Sequence, residues 1–171
     1  MPQTPPFGEL LAGTTTSAVH LETRDVYFSN PRFEAWRGGG EIDWADQSSW
    51  WLPFHDTIAE AVARGVTVRR ARVVAEPVTD YIRWEHYVTR ANIEAGEQVR
   101  WLPRSQATTL LLPGNDYWLF DGNLARVHHF AGNGDLVRDE LVDGRAVTSV
   151  LASAFETIWS AATPHDEYKI Q

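Results

Sequence analysis

Arg70, Arg72, Glu76, Asp80, Tyr81, Arg83 and Glu85 crowd into one short stretch of the chain. On a strand, residues two apart share a face, so Arg70 and Arg72 point the same way, as do Arg83 and Glu85 if their segment is extended. Planar guanidinium forks beside carboxylates and a phenol are suited to binding a charged small molecule. Together with Asn115, Asp116 and Trp118 from a later turn, these residues are expected to form a polar pocket for a small anionic or zwitterionic ligand. The strand's C-terminal end is where open α/β sheets bind ligands. A self-satisfying lattice of ion pairs that pins residues 76–90 onto the sheet is the simpler alternative. Glu22 and Asp25 could supply the acid side of such a pocket or stand as solvated edge charges, with Arg24 pairing either of them.

Other chemistries lack their residues. The chain has no Cys, which removes disulfides, thiolate metal sites and cysteine nucleophiles. There is no Gly-Lys-Ser or Gly-Lys-Thr phosphate loop and no G-x-S-x-G elbow, and the glycine fingerprint begun at Gly132-Asn133-Gly134 meets Val137 in its third place. His128 and His129 are adjacent, so on a strand they face opposite sides and cannot chelate one ion. No metal and no cofactor is expected.

The 171 residues, 43% hydrophobic, suffice for one domain with a sizeable core. A formal charge of −8 argues against bulk electrostatic contact with nucleic acid or an anionic membrane, and it suits a basic protein partner. Neither a leader-like N-terminus nor a long apolar run is present, so a cytoplasmic location is expected. The basic residues are almost all Arg, with Lys169 the one lysine.

The elements that must position the cluster follow from periodicity. Residues 1–7, rich in Pro, read as a loose arm, and Ser17–Tyr27 alternates as a first strand. Residues 28–49 carry Gly38-Gly39-Gly40 and read as a long excursion with one short helical turn. Trp50–Arg64 has helical spacing closed by Gly65, and Thr67 onward is a β-branched strand ended by Pro77. Thr89–Glu94 reads as a short helix and 99–103 as a strand. The stretch 108–134 reads as two apolar strands and an alternating third in an antiparallel meander. A last amphipathic helix over 150–162, limited by Pro164, should pack across the sheet.

The strings SAVHLETRD, RGVTVRRARVVAEPVTDYIRWE, GEQVRWLPR and GNDYWLFDG resemble an uncharacterised, mainly actinobacterial domain family with YIR-x-E and WLFD signatures, over residues 7–170. That family implies no activity and no catalytic residues. More distantly, RGV-x-VR, GE-x-VRWLP, the Asp121-Gly122 turn and F-x-x-IW-x-x-A resemble the non-catalytic phospholipase-D-like domains of some bacterial transcription regulators. The resemblance implies a single α/β phospholipase-D-like domain with a mixed sheet, an antiparallel C-terminal meander and flanking helices. Active members of that superfamily need a His, a Lys two residues later and an Asp beyond. Here Lys169 follows His165 by four, so phosphodiester chemistry of that type is not expected. The expectation is a regulatory or interaction domain that binds a small effector or a DNA-binding regulator protein, without direct contact to nucleic acid or membrane. An enzyme with a carboxylate general base and an arginine anion clamp is the alternative. A homodimer would use exposed aromatic residues such as Trp36, Trp44 or Trp50.

Overall fold

The alternation of β-branched and charged residues from Thr67 to Val74 builds an interior strand of a seven-stranded mixed sheet, with a parallel neighbour on each side. The computed structural model describes residues 4–27 and 30–171. Its strands are Ser17–Glu22 (β1), Thr67–Val74 (β2), Gln98–Pro103 (β3), Asp116–Phe120 (β4), Leu124–Phe130 (β5), Leu136–Val142 (β6) and Thr163–Pro164 (β7). Their order is β6-β5-β4-β1-β2-β3-β7. β1, β2 and β3 run parallel, while β4, β5 and β6 form an antiparallel meander beside β1, displaced by one strand from the meander expected over 108–134, since β6 lies beyond it. Six α-helices accompany the sheet: Phe7–Ala12 (α1), Pro31–Arg37 (α2), Gln47–Trp50 (α3), Pro53–Ala63 (α4), Asp80–Glu94 (α5) and Arg145–Ala161 (α6). None is long and apolar enough to cross a membrane among the described residues.

The two faces of the sheet are covered differently. On one, Phe155, Ile158 and Trp159 of α6 pack on Val19, Leu21, Ala71, Val73, Tyr117 and Leu119, a continuous apolar layer. Burying each such side chain contributes about 1.5–3 kcal/mol. On the other, α1 and α4 place Leu11, Ile58 and Ala61 over Ala18, Val68 and Phe120, and α5 places Ile82 and Trp84 near Val74, Val99 and Trp101. Because strand residues alternate, His20, Glu22, Arg70, Arg72, Asp116 and Trp118 share this second face, on adjacent strands in register.

Several sequence expectations are corrected. The first strand stops at Glu22 rather than Tyr27, since Thr23 turns to donate its backbone N–H and hydroxyl to Asp116. Phe7, placed in the loose arm, starts α1, where its ring stacks on Phe54; Met1–Gln3 of that arm lie outside the described residues. The excursion expected over 28–49, of which Phe28 and Ser29 lie outside the described residues, holds α2 and the start of α3, capped by the Asn30 and Asp46 side chains, not one turn. Residues 108–112 form no strand: β2 is already flanked by β1 and β3, and β7 takes the outer edge of β3, so Leu110 and Leu112 fill the α6 side instead. The segment 80–88, expected as loop or strand, is the first half of α5. There Thr79 Oγ1 accepts the Ile82 N–H as an N-cap, and Tyr81, Trp84, Val88 and Ala91 recur at helical spacing.

Candidate functional site

Glu22 is the centre of a buried ionic lattice on the second face. Its Oε1 accepts from Arg70 Nη1 at 2.9 Å and its Oε2 lies 2.7 Å from Arg72 Nη1. Arg70 also grips Glu97 through Nε at 2.7 Å, and Arg72 Nη2 pairs with Glu85 of α5 at 2.6 Å. Asn92, one helical face along from Glu85, donates to Glu97 Oε2 at 2.7 Å. Burial pulls the pKa of the Arg70 guanidinium down, but Glu97 and Glu22 outweigh it and raise it, so the group stays charged. Each arginine also lies over aromatic faces, Arg70 near Phe54 and Trp118 and Arg72 over Trp101.

Glu97 reaches this position through the end of α5. The Gly96 and Glu97 N–H groups bond back to the Ile93 and Asn92 carbonyls, and Gly96 has φ of 96°. A side chain on Gly96 would come within 2.9 Å of Val62 on α4. Close packing of α5 on α4 thus brings the Glu97 carboxylate, 0% exposed, under Arg70.

Above the lattice lies a cavity of about 450 Å³. Its floor is the sheet: His20, Glu22, Arg70, Arg72, Asp116, Trp118 and His128. Its walls are Tyr81, Trp84, Glu85 and Asn92 of α5, Arg32 of α2, Trp44, Trp50, Phe54 and His55, with Tyr27 and Phe130 at the meander side. His20 stacks on Trp118 with ring centroids 4.3 Å apart; its pKa is lowered well below the usual value by burial and then by Arg70, His128 and Arg72, so it is a neutral ring. Burial, with the charge of Glu22, pushes the Asp116 carboxyl up against the pull of hydrogen bonds from the Tyr27 hydroxyl and Thr23. Burial and Glu85 push the Tyr81 phenol up. His128 turns toward the cavity and lies 2.6 Å from Asp139, which Arg126 also binds, whereas His129 faces away to Glu140. Among the described residues no group of three or more His, Asp or Glu could hold a metal ion.

Of the residues singled out from sequence, Arg70, Arg72, Tyr81, Glu85, Asp116 and Trp118 come together around the cavity, and Glu22 joins them. Glu76, Asp80, Arg83 and Asn115 do not line it. Glu76 accepts from the Tyr168 hydroxyl at 2.6 Å, and Asp80, Arg83 and Asn115 are exposed. The helical backbone is the reason for Arg83: two residues apart on α5, it points away from Glu85. Asp25 binds the Ala75 N–H and Arg104 instead, and Arg24 lies over Phe130. Trp50 is buried and Trp36 and Trp44 are half-buried: Trp44 packs on Trp50 and Tyr87, and Trp36 stacks with Phe33. Sequence reasoning missed Asn92, Glu97 and Arg32. Asn92 was marked by its helical spacing from Glu85, but Glu97 and Arg32 carry no local signal.

One family model, described as a domain of unknown function, DUF6879, matches residues 5–170. The chain belongs to the DUF6879 family. No curated protein matches it. The DUF6879 fold is similar to the archaeal chromatin protein TrmBL2, which has a novel mode of DNA binding, with a TM-score of 0.49 and 11% identity over 91% of this chain. The chain spans only 48% of the TrmBL2 chain. It is similar also to Nuc, a phospholipase D family member from Salmonella typhimurium, with a TM-score of 0.49 and 11% identity over 92% of this chain and 86% of that one. A phospholipase D family structure is thus among the neighbours of this DUF6879 domain.

Proposed function

We propose that the domain is a non-catalytic regulatory module that holds a small anionic or zwitterionic ligand in the cavity and signals its occupancy to a protein partner, a DNA-binding regulator. The observation that carries the reading is the cavity itself: about 450 Å³ of space, aromatic-walled, over an ion lattice fixed before any ligand arrives. Volumes of about 300–1,000 Å³ with a few convergent polar groups are typical of small-molecule sites. The two sequence readings therefore meet, because the lattice pins α5 to the sheet and also floors the pocket.

The arginine-clamp enzyme fits less well. Arg70 and Arg72 already spend their forks on Glu22, Glu85 and Glu97, so neither is free to take a substrate anion. Asp116, whose raised pKa suits a general base, already accepts from Thr23 and Tyr27.

Thermal melting of the purified protein against a library of polar metabolites and against co-expressed regulators tests the proposal. A specific compound should raise the melting temperature, as binding to the folded state alone requires, and Trp44→Ala, which strips one wall without touching the sheet, should remove that shift. If neither compounds nor partners stabilise the protein, the domain is not a sensor of this kind.

A further inference from the structure

The charges around the cavity are unbalanced in two places. At the floor, three acids, Glu22, Glu85 and Glu97, share two arginines, Arg70 and Arg72, and Asp116 is a fourth acid beside them. Buried charges are stable when paired, so this floor is short of at least one cation. On the α2 wall the reverse holds. Arg32 lines the same cavity, half-buried beside His55, and has no ion pair among the described residues. The deficit and the surplus border one space without touching each other. Three further groups there have no hydrogen-bond partner among the described residues: the Nε1–H of Trp50, the Nε–H of Arg72, and Nδ1 of His20, which lies 3.6 Å from Glu22; all three residues are more than nine-tenths buried.

Resting on the ligand reading above, we propose that the cavity selects a zwitterion with an apolar or aromatic body, its cationic group against Glu22 and Asp116 and its anionic group on Arg32. A plain anion would add negative charge beside a floor already in excess, and a plain cation would leave Arg32 unpaired. Trp44, Trp50, Phe54 and Trp84 supply the surface for the body, and their ring faces favour a cation as well.

Isothermal titration with two matched series separates the possibilities: L-phenylalanine, 3-phenylpropionate and 2-phenylethylamine, then L-tryptophan, indole-3-propionate and tryptamine. In at least one series the amino acid should bind about tenfold more tightly than its anion or its amine, each lost pairing weakening binding by about that factor. Arg32→Gln, which breaks no ion pair, should keep the melting temperature and bring the amino acid down to the affinity of the amine. An anion that binds as well as the amino acid, an Arg32→Gln protein that binds undiminished, or no binding in either series overturns the assignment. If no member of either series binds while a metabolite from the library still raises the melting temperature, the zwitterion fails and the ligand-binding role survives. If neither occurs, both fall.

Discussion

Glu22 bridges Arg70 and Arg72, one carboxylate oxygen to each guanidinium, at 2.9 and 2.7 Å. The register places Glu22 directly opposite Arg72 on the neighbouring parallel strand, so the bridge is a cross-strand contact rather than a surface ornament. Glu22, its side chain 12% exposed, gives each buried arginine a second carboxylate partner; without it Arg70 keeps Glu97 and Arg72 keeps Glu85. Glu22→Gln, which removes charge-assisted bonds while leaving each arginine one carboxylate, should cost about 1.5–3 kcal/mol, lowering the melting temperature by roughly 3–12 °C for a domain of this size. Circular dichroism melts check this, and a shift of only a degree or two would show the lattice to be a minor contributor.

Gly96 gives a prediction in which two helices are read together. Gly96→Ala forces a side chain onto a left-handed backbone, costing about 1 kcal/mol, and drives it into Val62, overpacking that adds about 1–3 kcal/mol. Val62→Ala in the same chain should recover part of the second cost, giving a coupling well outside additivity in urea titrations. Purely additive effects would mean that α4 and α5 are not in contact there.

Arg83 is expected to be silent. It is exposed on α5 with no ion pair among the described residues, so Arg83→Ala should change stability by less than about 0.5 kcal/mol. It should also leave ligand binding untouched. Arg72→Ala, by contrast, should unfold the protein at far lower urea, because Glu22 and Glu85 both lose a partner.

Acid sensitivity should come from histidines. Burial, the largest cause in each, lowers the pKa of His20, His55 and His86, and lowers His165 to about 4. Unfolded histidines take up protons below about pH 6.5. The unfolded chain then binds more protons than the native one, so stability is full above that value and falls as the pH drops toward 4. Asp116 acts in the opposite sense, since its raised carboxyl favours the native state below the unfolded carboxylate value and loses that contribution as pH rises through its own. Urea midpoints should climb between about pH 4.5 and 7, and His165→Gln should flatten part of the rise. Midpoints that stay level across that range would contradict the histidine account.

The residues themselves explain which parts of this were legible from sequence. Arg70 and Arg72 could be placed on one face because a strand leaves no other choice, and Phe155, Ile158 and Trp159 could be placed on the sheet because their spacing admits one helix face. The α5 start was misread because Glu76–Tyr87 is polar and aromatic, which hides a helical stripe behind strand-like residues. Thr79 after Pro77 was the available sign. Glu97 was invisible for another reason: its role depends on where α5 ends against α4, a tertiary fact that no local pattern encodes.

The sheet order also governs when the pocket can exist. β1 must acquire β2 on one side and β4 on the other, joining Glu22 to Arg70 across 48 positions and Thr23 to Asp116 across 93. Such distant pairings close late and slowly. A chain still emerging from the ribosome, extended only as far as α5, already carries both arginines and two of their acids but lacks Asp116, Trp118 and His128, so the floor of the cavity is incomplete. The cavity can therefore take shape only after the chain has been extended past β5, which closes its meander side.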